Sequence, residues 1–369
     1  MSTPKAQGFN QRRPVITAIC VSLLCLAVTS ACSSQTPPTE NPLGSTRVAP
    51  FDGSRFSNRQ PMDKGLTDLL GLAWQSVTQA TPWPNHRPVD NQAIDAAPEG
   101  IHVTFINHST FLLRIDGVTV LTDPIYSERA SPVSWAGPKR VHNPGIVLED
   151  LPPIDCLLVS HDHYDHLDFP TLETLASRSP GRTKVITGLG NDSLIQRAGF
   201  ERVSAIDWGD TVTCHGLPIT FVEVRHRSGR GLLDQMKTLW GGFVIETSRG
   251  PIYFGGDTGY GPHFSETAER FGPFALALIP IGAYEPRWFM KDVHLNPHEA
   301  VLAHLDLQSA QSVGIHYGTF QLTLEGIDTP IEDLHRAMAA ANLPRSEFWT
   351  LAIGETRSLN VATQKPQPE

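Results

Sequence analysis

Cysteine is scarce in this 369-residue chain: there are five, and three of them (Cys20, Cys25 and Cys32) fall within the first 32 positions. The remaining two, Cys156 and Cys214, form no disulfide framework and no cysteine zinc site. Cys156 lies in the apolar run Cys-Leu-Leu-Val and reads as a small buried core residue. Positive charge is also short. Lys and Arg number 29 against 38 Asp and Glu, a formal net charge of −9. An acidic body lacks the basic footprint that broad nucleic-acid binding requires, so no nucleic-acid partner is expected. The apolar run at 15–28 is 14 residues long, too short for a confident bilayer-spanning helix. No short-period repeat is visible. What is plentiful is Gly and Pro, 30 of each, which suits a turn-rich α/β or strand-rich enzyme better than a helical bundle.

The N-terminus reads as an address. Residues 1–14 are polar and basic, 15–28 apolar, and Thr29-Ser30-Ala31-Cys32 small, the layout of a secretory signal peptide over 1–31. The Cys after Ser-Ala resembles a bacterial lipoprotein cleavage box, although Thr29 stands where Leu is usual. That resemblance implies a lipidated Cys32 and a lipid-anchored protein of the cell envelope, held at a membrane surface. Residues 32–60 are rich in Ser, Thr, Pro, Asn and Gly and are expected to form a flexible tether. A folded domain is expected over 61–363, then a disordered tail at 364–369. A homodimer is compatible with the sequence, which does not set the oligomeric state.

Leu66, Leu69, Leu70, Ala73, Trp74 and Val77 recur at helical spacing. The helix they predict either packs on the core or lines an apolar groove or lipid surface. Strands are predicted at 103–106, 111–115 and 118–121, with Asp116-Gly117 as a hairpin turn. Further strands are predicted at 156–159, 185–186, 220–224, 243–246, 252–254, 276–279 and 313–315. Helices are predicted at 169–178, 193–198, 297–305 and 331–341. Two clusters of strands with interleaved helices imply an α+β fold, two sheets packed together with helices outside.

The chemistry concentrates where apolar runs end. The buried strand 156–159 leads directly into Ser160-His161-Asp162-His163-Tyr164-Asp165-His166. A solvated loop has no use for three imidazoles. His161 and His163 alternate and share one side of an extended backbone, while Asp165 and His166 turn to a neighbouring position, an arrangement that suits two adjacent metals. Single polar groups recur at other strand exits: His226 after 220–225, Asp257 in Phe-Gly-Gly-Asp-Thr-Gly-Tyr, and His316 in His-Tyr-Gly-Thr-Phe, with Gly nearby for close backbone approach. Imidazole and carboxylate donors suit zinc; iron and manganese also fit. Asp162 is expected to face solvent, Asp168 to cap the helix that starts near Phe169, and His298 to lie on a helix surface. Lys139, Arg140, Arg287 and Lys291 read as phosphate contacts or as plain surface charge.

His-x-His-x-Asp-His followed by a spaced His, Asp and His resembles the metallo-β-lactamase superfamily. The runs Gly137-Pro138-Lys139-Arg140, Leu151-Pro152-Pro153-Ile154-Asp155, Leu239-Trp240-Gly241, Gly256-Asp257-Thr258-Gly259-Tyr260 and 279–290 are similar to one branch of it, the N-acyl-phosphatidylethanolamine-hydrolysing phospholipase D family. The resemblance covers about 100–358. It implies an αββα sandwich of two mixed β-sheets flanked by helices, with two zinc ions at the shared edge of the sheets. His161, His163 and His226 would bind one, Asp165, His166 and His316 the other, and Asp257 both. It also implies that Asp123 supports the metal loop by hydrogen bonding, that His108 braces it, and that His294 protonates the leaving group. Two adjacent cations lower the pKa of a shared water toward neutrality. Asp165 would orient the hydroxide, which would attack a phospholipid to give an N-acylethanolamine and phosphatidic acid. The alternatives are another substrate on the same scaffold (a lactone, a cyclic nucleotide or a β-lactam) and a non-catalytic envelope lipoprotein that binds metal or lipid.

Overall fold

Strand side chains point alternately to opposite faces, and several strands of this chain are apolar on both. Phe111 and Leu113 enter one core while Leu112 enters another; Leu158 joins the first, Leu157 and Val159 the second. Strands of that kind must be covered on both faces. The computed structural model describes residues 48–62, 64, 66–89, 92 and 99–359. It covers these strands with a second sheet on one side and helices on the other.

Strands β1 (Ile101–Asn107), β2 (Thr110–Ile115), β3 (Val118–Thr122), β4 (Cys156–Val159), β5 (Lys184–Gly188) and β6 (Arg202–Ile206) build the first sheet. Strands β7 (Thr211–Cys214), β8 (Leu217–Val222), β9 (Gly242–Ile245), β10 (Ile252–Phe254), β11 (Leu276–Pro280), β12 (Ser312–Ile315) and β13 (Phe348–Trp349) build the second, and β14 (Thr356–Leu359) returns to the first. The spatial orders are β14-β1-β2-β3-β4-β5-β6 and β13-β12-β11-β10-β9-β8-β7. Each sheet begins as an antiparallel meander and continues as parallel strands from β3 to β6 or from β10 to β13. The amphipathic helix predicted near the start is α1 (Leu66–Thr78). Helices α2 (Phe169–Arg178) and α3 (Asp192–Arg197) cover the first sheet with Leu172, Leu175, Leu194 and Ile195. Helices α4 (His263–Phe271), α5 (Arg287–Met290), α6 (Pro297–Asp306) and α7 (Thr329–Ala340) belong to the second half. This is the αββα sandwich that the resemblance implied.

The predicted elements fall within a few residues of the observed ones. Strands β6, β7, β13 and β14 and helices α4 and α5 went unread, being short or, as in α4, interrupted by charge. The signal segment 1–31, Cys32 and the tail 364–369 lie outside the described residues, as do the side chains of Leu66, Leu69, Leu70, Ala73 and Val77. Among the described residues no helix is long and apolar enough to cross a membrane.

Two expectations change. The tether does not reach position 60. Phe51 and Phe56 meet with ring centroids 4.8 Å apart across a β-bridge, and Phe56 is buried. The N–H groups of Val48 and Ala49 donate to Asp207 at 2.7 and 3.2 Å. Two aromatic rings in an otherwise polar stretch are enough to dock it. The second change concerns the cysteines. Cys156 opens β4 in the first sheet, Cys214 closes β7 in the second, and the two form a buried disulfide across the sandwich. Only the packing of the sheets brings them together; their spacing of 58 residues carries no pairing signal.

Closing a loop of that length restricts the unfolded chain by about 4 kcal/mol in the chain-entropy treatment. The double variant Cys156→Ala, Cys214→Ala is expected to lose roughly 2–4 kcal/mol in urea unfolding. An unchanged midpoint would show that the thiols are not paired in solution.

Candidate metal centre

The parallel strands end at a common edge, where α/β folds place functional groups. The chain leaves β4 as the loop 160–168, and Asp123, just beyond β3, anchors it. Asp123 accepts from the Ser160 N–H at 2.7 Å, the Ser160 hydroxyl at 2.6 Å and His166 Nδ1 at 2.7 Å. The Gly241 N–H donates to the Ser160 carbonyl at 3.0 Å, which gives the Leu-Trp-Gly run a structural reason. His108, Asp123 and His316 hold φ of 49°, 33° and 62°. This left-handed region is costly for residues with a Cβ and is tolerated where the surroundings over-determine it. Gly256 has φ +53°, and a Cβ there would stand 2.7 Å from Ser160 Cβ, so only glycine brings Asp257 this close to the loop.

All seven expected ligands converge. The donor atoms of His161, His163, His226 and Asp257 lie within 4.8 Å of one another; those of His108, Asp165, His166 and His316 do the same. His163 Nδ1 is 2.9 Å from His161 Nε2 and 3.3 Å from His226 Nε2. Asp165 Oδ2 is 3.3 Å from His316 Nε2 and 3.5 Å from His166 Nε2. Asp257 Oδ2 joins the two groups, 3.2 Å from both His166 and His316, 3.6 Å from His226 and 3.9 Å from His161.

In three of the rings the other nitrogen is engaged behind the cluster. His161 Nδ1 meets Ser160 Oγ at 2.9 Å, His166 Nδ1 donates to Asp123, and His226 Nδ1 donates to the Val293 carbonyl at 2.9 Å. That leaves Nε2 of His161, His166 and His226 turned inward, as metal-ligating histidines are arranged, while His163 presents Nδ1. Among the described residues, buried His166 Nε2, His316 Nε2 and Asp257 Oδ1 have no hydrogen-bond partner. Buried polar atoms are nearly always satisfied, so a metal ion fits the atoms that protein groups leave over.

The electrostatics agree. Desolvation, helped by neighbouring rings, holds His161, His163 and His226 well below the usual imidazole range, hence neutral. For His316 burial acts downward, but the Asp257 and Asp165 carboxylates prevail and lift it to about 9. Burial likewise opposes, and His166 overcomes, so that Asp165 and Asp257 stay well below the carboxylate range. His161, His163 and His226 are thus in the neutral form that ligates metals, whereas burial opposes but Asp257 and Asp165 raise His166 and His316 above the imidazole range. Divalent cations here would displace those protons and compensate the carboxylate charges.

Other expectations are sorted by the same geometry. His108 Nε2 meets Asp165 at 3.0 Å, bracing the loop. His294 stands at the rim, its Nε2 3.9 Å from Asp257, its carbonyl held by Arg287 at 2.8 Å. Asn296 and Glu299 form a capping box on α6 just after it. His298 is exposed on α6. Asp162 does not face solvent: it is fully buried and accepts from the Gly229 N–H and the Thr238 hydroxyl, because the loop that follows His226 folds over it. Asp168 sits at the N-cap of α2, but its carboxylate accepts from the N–H groups of Tyr126 and Ser127 and from the Thr171 hydroxyl, not from the helix backbone. Arg140 is buried against the Ile125 and Ser127 carbonyls, Arg287 pairs with Glu299, and Lys139 with Glu128. Arg227 was not singled out by the sequence. It adjoins His226, burial lowers its guanidinium, its charge acts on His163, His226 and His294, and among the described residues it has no ion-pair partner.

Asp123→Asn keeps the shape of the anchor but weakens its hold on His166. It is expected to lower zinc affinity about 10–100-fold at one of two sites, measured against a competing chelator. Undiminished affinity would assign Asp123 to the fold alone.

Residues 118–317 match a family model described as a β-lactamase superfamily domain. The chain is 39% identical over 316 residues to N-acyl-phosphatidylethanolamine-hydrolyzing phospholipase D 1 of Caenorhabditis elegans, spanning 79% of this chain and 87% of that one. It is 33% identical over 256 residues to the mitochondrial N-acyl-phosphatidylethanolamine-hydrolyzing phospholipase D of Saccharomyces cerevisiae, spanning 68% of this chain and 54% of that one. Among solved structures, a possible metal-dependent hydrolase from Veillonella parvula shares the fold with a TM-score of 0.57 at 18% identity, over 71% of this chain and 100% of that one. Sandwich, donor clusters and relatives coincide: this chain is a metal-dependent hydrolase of the β-lactamase superfamily and belongs, within it, to the N-acyl-phosphatidylethanolamine-hydrolysing phospholipase D family.

Proposed function

We propose that the chain is a zinc-dependent phosphodiesterase of phospholipase D type. Its substrate is N-acyl phosphatidylethanolamine or a related phospholipid, and its products are N-acylethanolamine and phosphatidic acid. The observation that carries this reading is the pair of donor clusters sharing Asp257, in a chain 39% identical to a relative named for that hydrolysis. Zinc is the metal we favour for seven imidazole and carboxylate ligands (His161, His163, Asp165, His166, His226, Asp257 and His316), with iron or manganese as alternatives. Two bound ions supply Lewis acidity to the phosphoryl oxygens and a water acidic enough to attack near neutral pH.

The chain's own residues do the rest. Asp165, steadied by His108, accepts a hydrogen bond from the attacking water and aims it at phosphorus. Arg227 offers a guanidinium to the phosphoryl oxygens. Desolvation lowers His294 to about 3, so it is a neutral ring whose N–H hydrogen-bonds the departing ethanolamine oxygen, which takes up the proton released by the attacking water. A lipid substrate also gives a use to exposed apolar side chains. Leu232 and Leu233 lie on the loop that Arg230 ties to the Asp162 and Leu167 carbonyls, and exposed Trp74 and Trp288 lie on the contacting helices α1 and α5. A buried disulfide accords with folding in an oxidising compartment, as the export signal and lipidation proposed for 1–32 require.

The full chain with zinc is offered N-acyl phosphatidylethanolamine, a lactone and a phosphodiester dye. N-acylethanolamine is expected, and Asp257→Asn and His163→Ala abolish it. His294→Ala should lower kcat about 10²–10⁴-fold with metal content unchanged, and Arg227→Gln should raise KM for the phosphodiesters and not for a lactone. Turnover of the lactone alone would sink the phospholipid reading. For the anchor, palmitate labelling in a bacterial host is expected and should vanish in Cys32→Ala; equal labelling of both forms would refute it.

A further inference from the structure

His226 carries a metal-site imidazole on unusually thin backbone support. The last β8 residue with a ladder partner is Val222, opposite Gly242, and His226 stands four residues beyond it. Arg225 is bonded along one edge: its N–H donates to Thr258 Oγ1 at 3.0 Å and its carbonyl accepts from the Gly259 N–H at 2.8 Å. Successive residues of an extended chain present their N–H and C=O to opposite edges, so those of His226 face away from Gly259. On that side Asn58 meets both. Its Nδ2 donates to the His226 carbonyl at 2.7 Å and its Oδ1 accepts from the His226 N–H at 3.2 Å. One side-chain amide takes the place of a neighbouring strand.

Asn58 is itself held firmly. The Phe56 N–H donates to the Met236 carbonyl at 2.7 Å, and Phe56 is buried in the main core. Arg59 pairs with Glu223 and Glu266. The His226 ring is fixed independently through Val293, next to Asp292, which pairs with Arg225 at 2.8 Å. The backbone of His226 therefore depends on a residue far upstream, outside the stretch 118–317 that matches the family domain.

We propose that Asn58 is a positioning residue of the metal centre: its amide sets the backbone of His226, and so the place of His226 Nε2 in the His161–His163–Asp257 cluster. This rests on the reading of His226 as a metal ligand. Severing both amide bonds lets the four-residue extension beyond β8 relax, while the Asp165–His166–His316 cluster keeps its own supports.

The test is zinc titration of the metal-free full chain against a competing chelator, for wild type, Asn58→Ala and Arg59→Ala. Wild type is expected to bind two ions. Asn58→Ala is expected to keep one site at wild-type affinity and to weaken the other about 10–100-fold, with an unchanged circular dichroism spectrum. Arg59→Ala removes the ion pairs of the same segment without touching His226 and is expected to bind both ions as wild type does. Wild-type affinity at both sites in Asn58→Ala overturns the proposal. So does equal weakening in Arg59→Ala, because docking of the segment and not the amide would then be the cause. If Asn58→Ala does not fold, Asn58→Asp, which keeps the acceptor and loses the donor, takes its place with the same site-selective loss expected and the same reversal if it is absent. Fewer than two ions in wild type would instead overturn the two-metal reading.

Discussion

Two carboxylates, Asp257 fully buried and Asp165 largely so, set the terms for this structure. Asp165 and Asp257 stay ionised at the meeting edge of two sheets, where an uncompensated charge costs several kcal/mol. Everything around them supplies positive charge or directs it. Asp257 Oδ2 is within 3.9 Å of five imidazoles. Three of those rings, His166, His161 and His226, are oriented from behind by Asp123, Ser160 and the Val293 carbonyl. The left-handed backbone at His108, Asp123 and His316 and the missing Cβ at Gly256 are the local costs of packing so many donors into one place. They are sustained by the large apolar core beneath.

That core explains why the site can be so polar. Phe105, Leu113, Leu158 and Ile186 of the first sheet face Phe221, Phe243, Phe254 and Leu278 of the second, and all are fully buried. The parallel strands among them end together, so residues far apart in the chain leave the sheets at one level. Loops then need to be precise only over a few residues, and hydrogen bonds to Asp123, Asp162 and Asn58 provide that precision.

Much of this was legible in the sequence because it follows from period and position. Cys156–Val159 is apolar throughout and four residues long, which reads as a doubly covered strand with the ligands following its end. Asp257 and His316 were found the same way. What escaped was whatever depends on partners distant in sequence. The Cys156–Cys214 bond needs the two sheets stacked, and Asp162 needs the loop after His226 folded over it. Asn58 sits in a polar stretch whose composition looks disordered, and its only signal was the pair of phenylalanines beside it. Arg227 was hidden by being one cation among 29, and only its half-buried place beside His226 without a carboxylate sets it apart.

The repeated plan of the two sheets divides the donors between them. His161, His163, Asp165 and His166 issue from the first sheet, and His226, Asp257 and His316 from the second. Neither half can assemble a centre alone. Ions that hold both halves together act as rivets between layers, and binding of this type adds to the free energy of folding. Chelation of this protein should therefore loosen the sandwich at its active edge, while the shared apolar core and the Cys156–Cys214 bond between β4 and β7 hold the two layers together behind it.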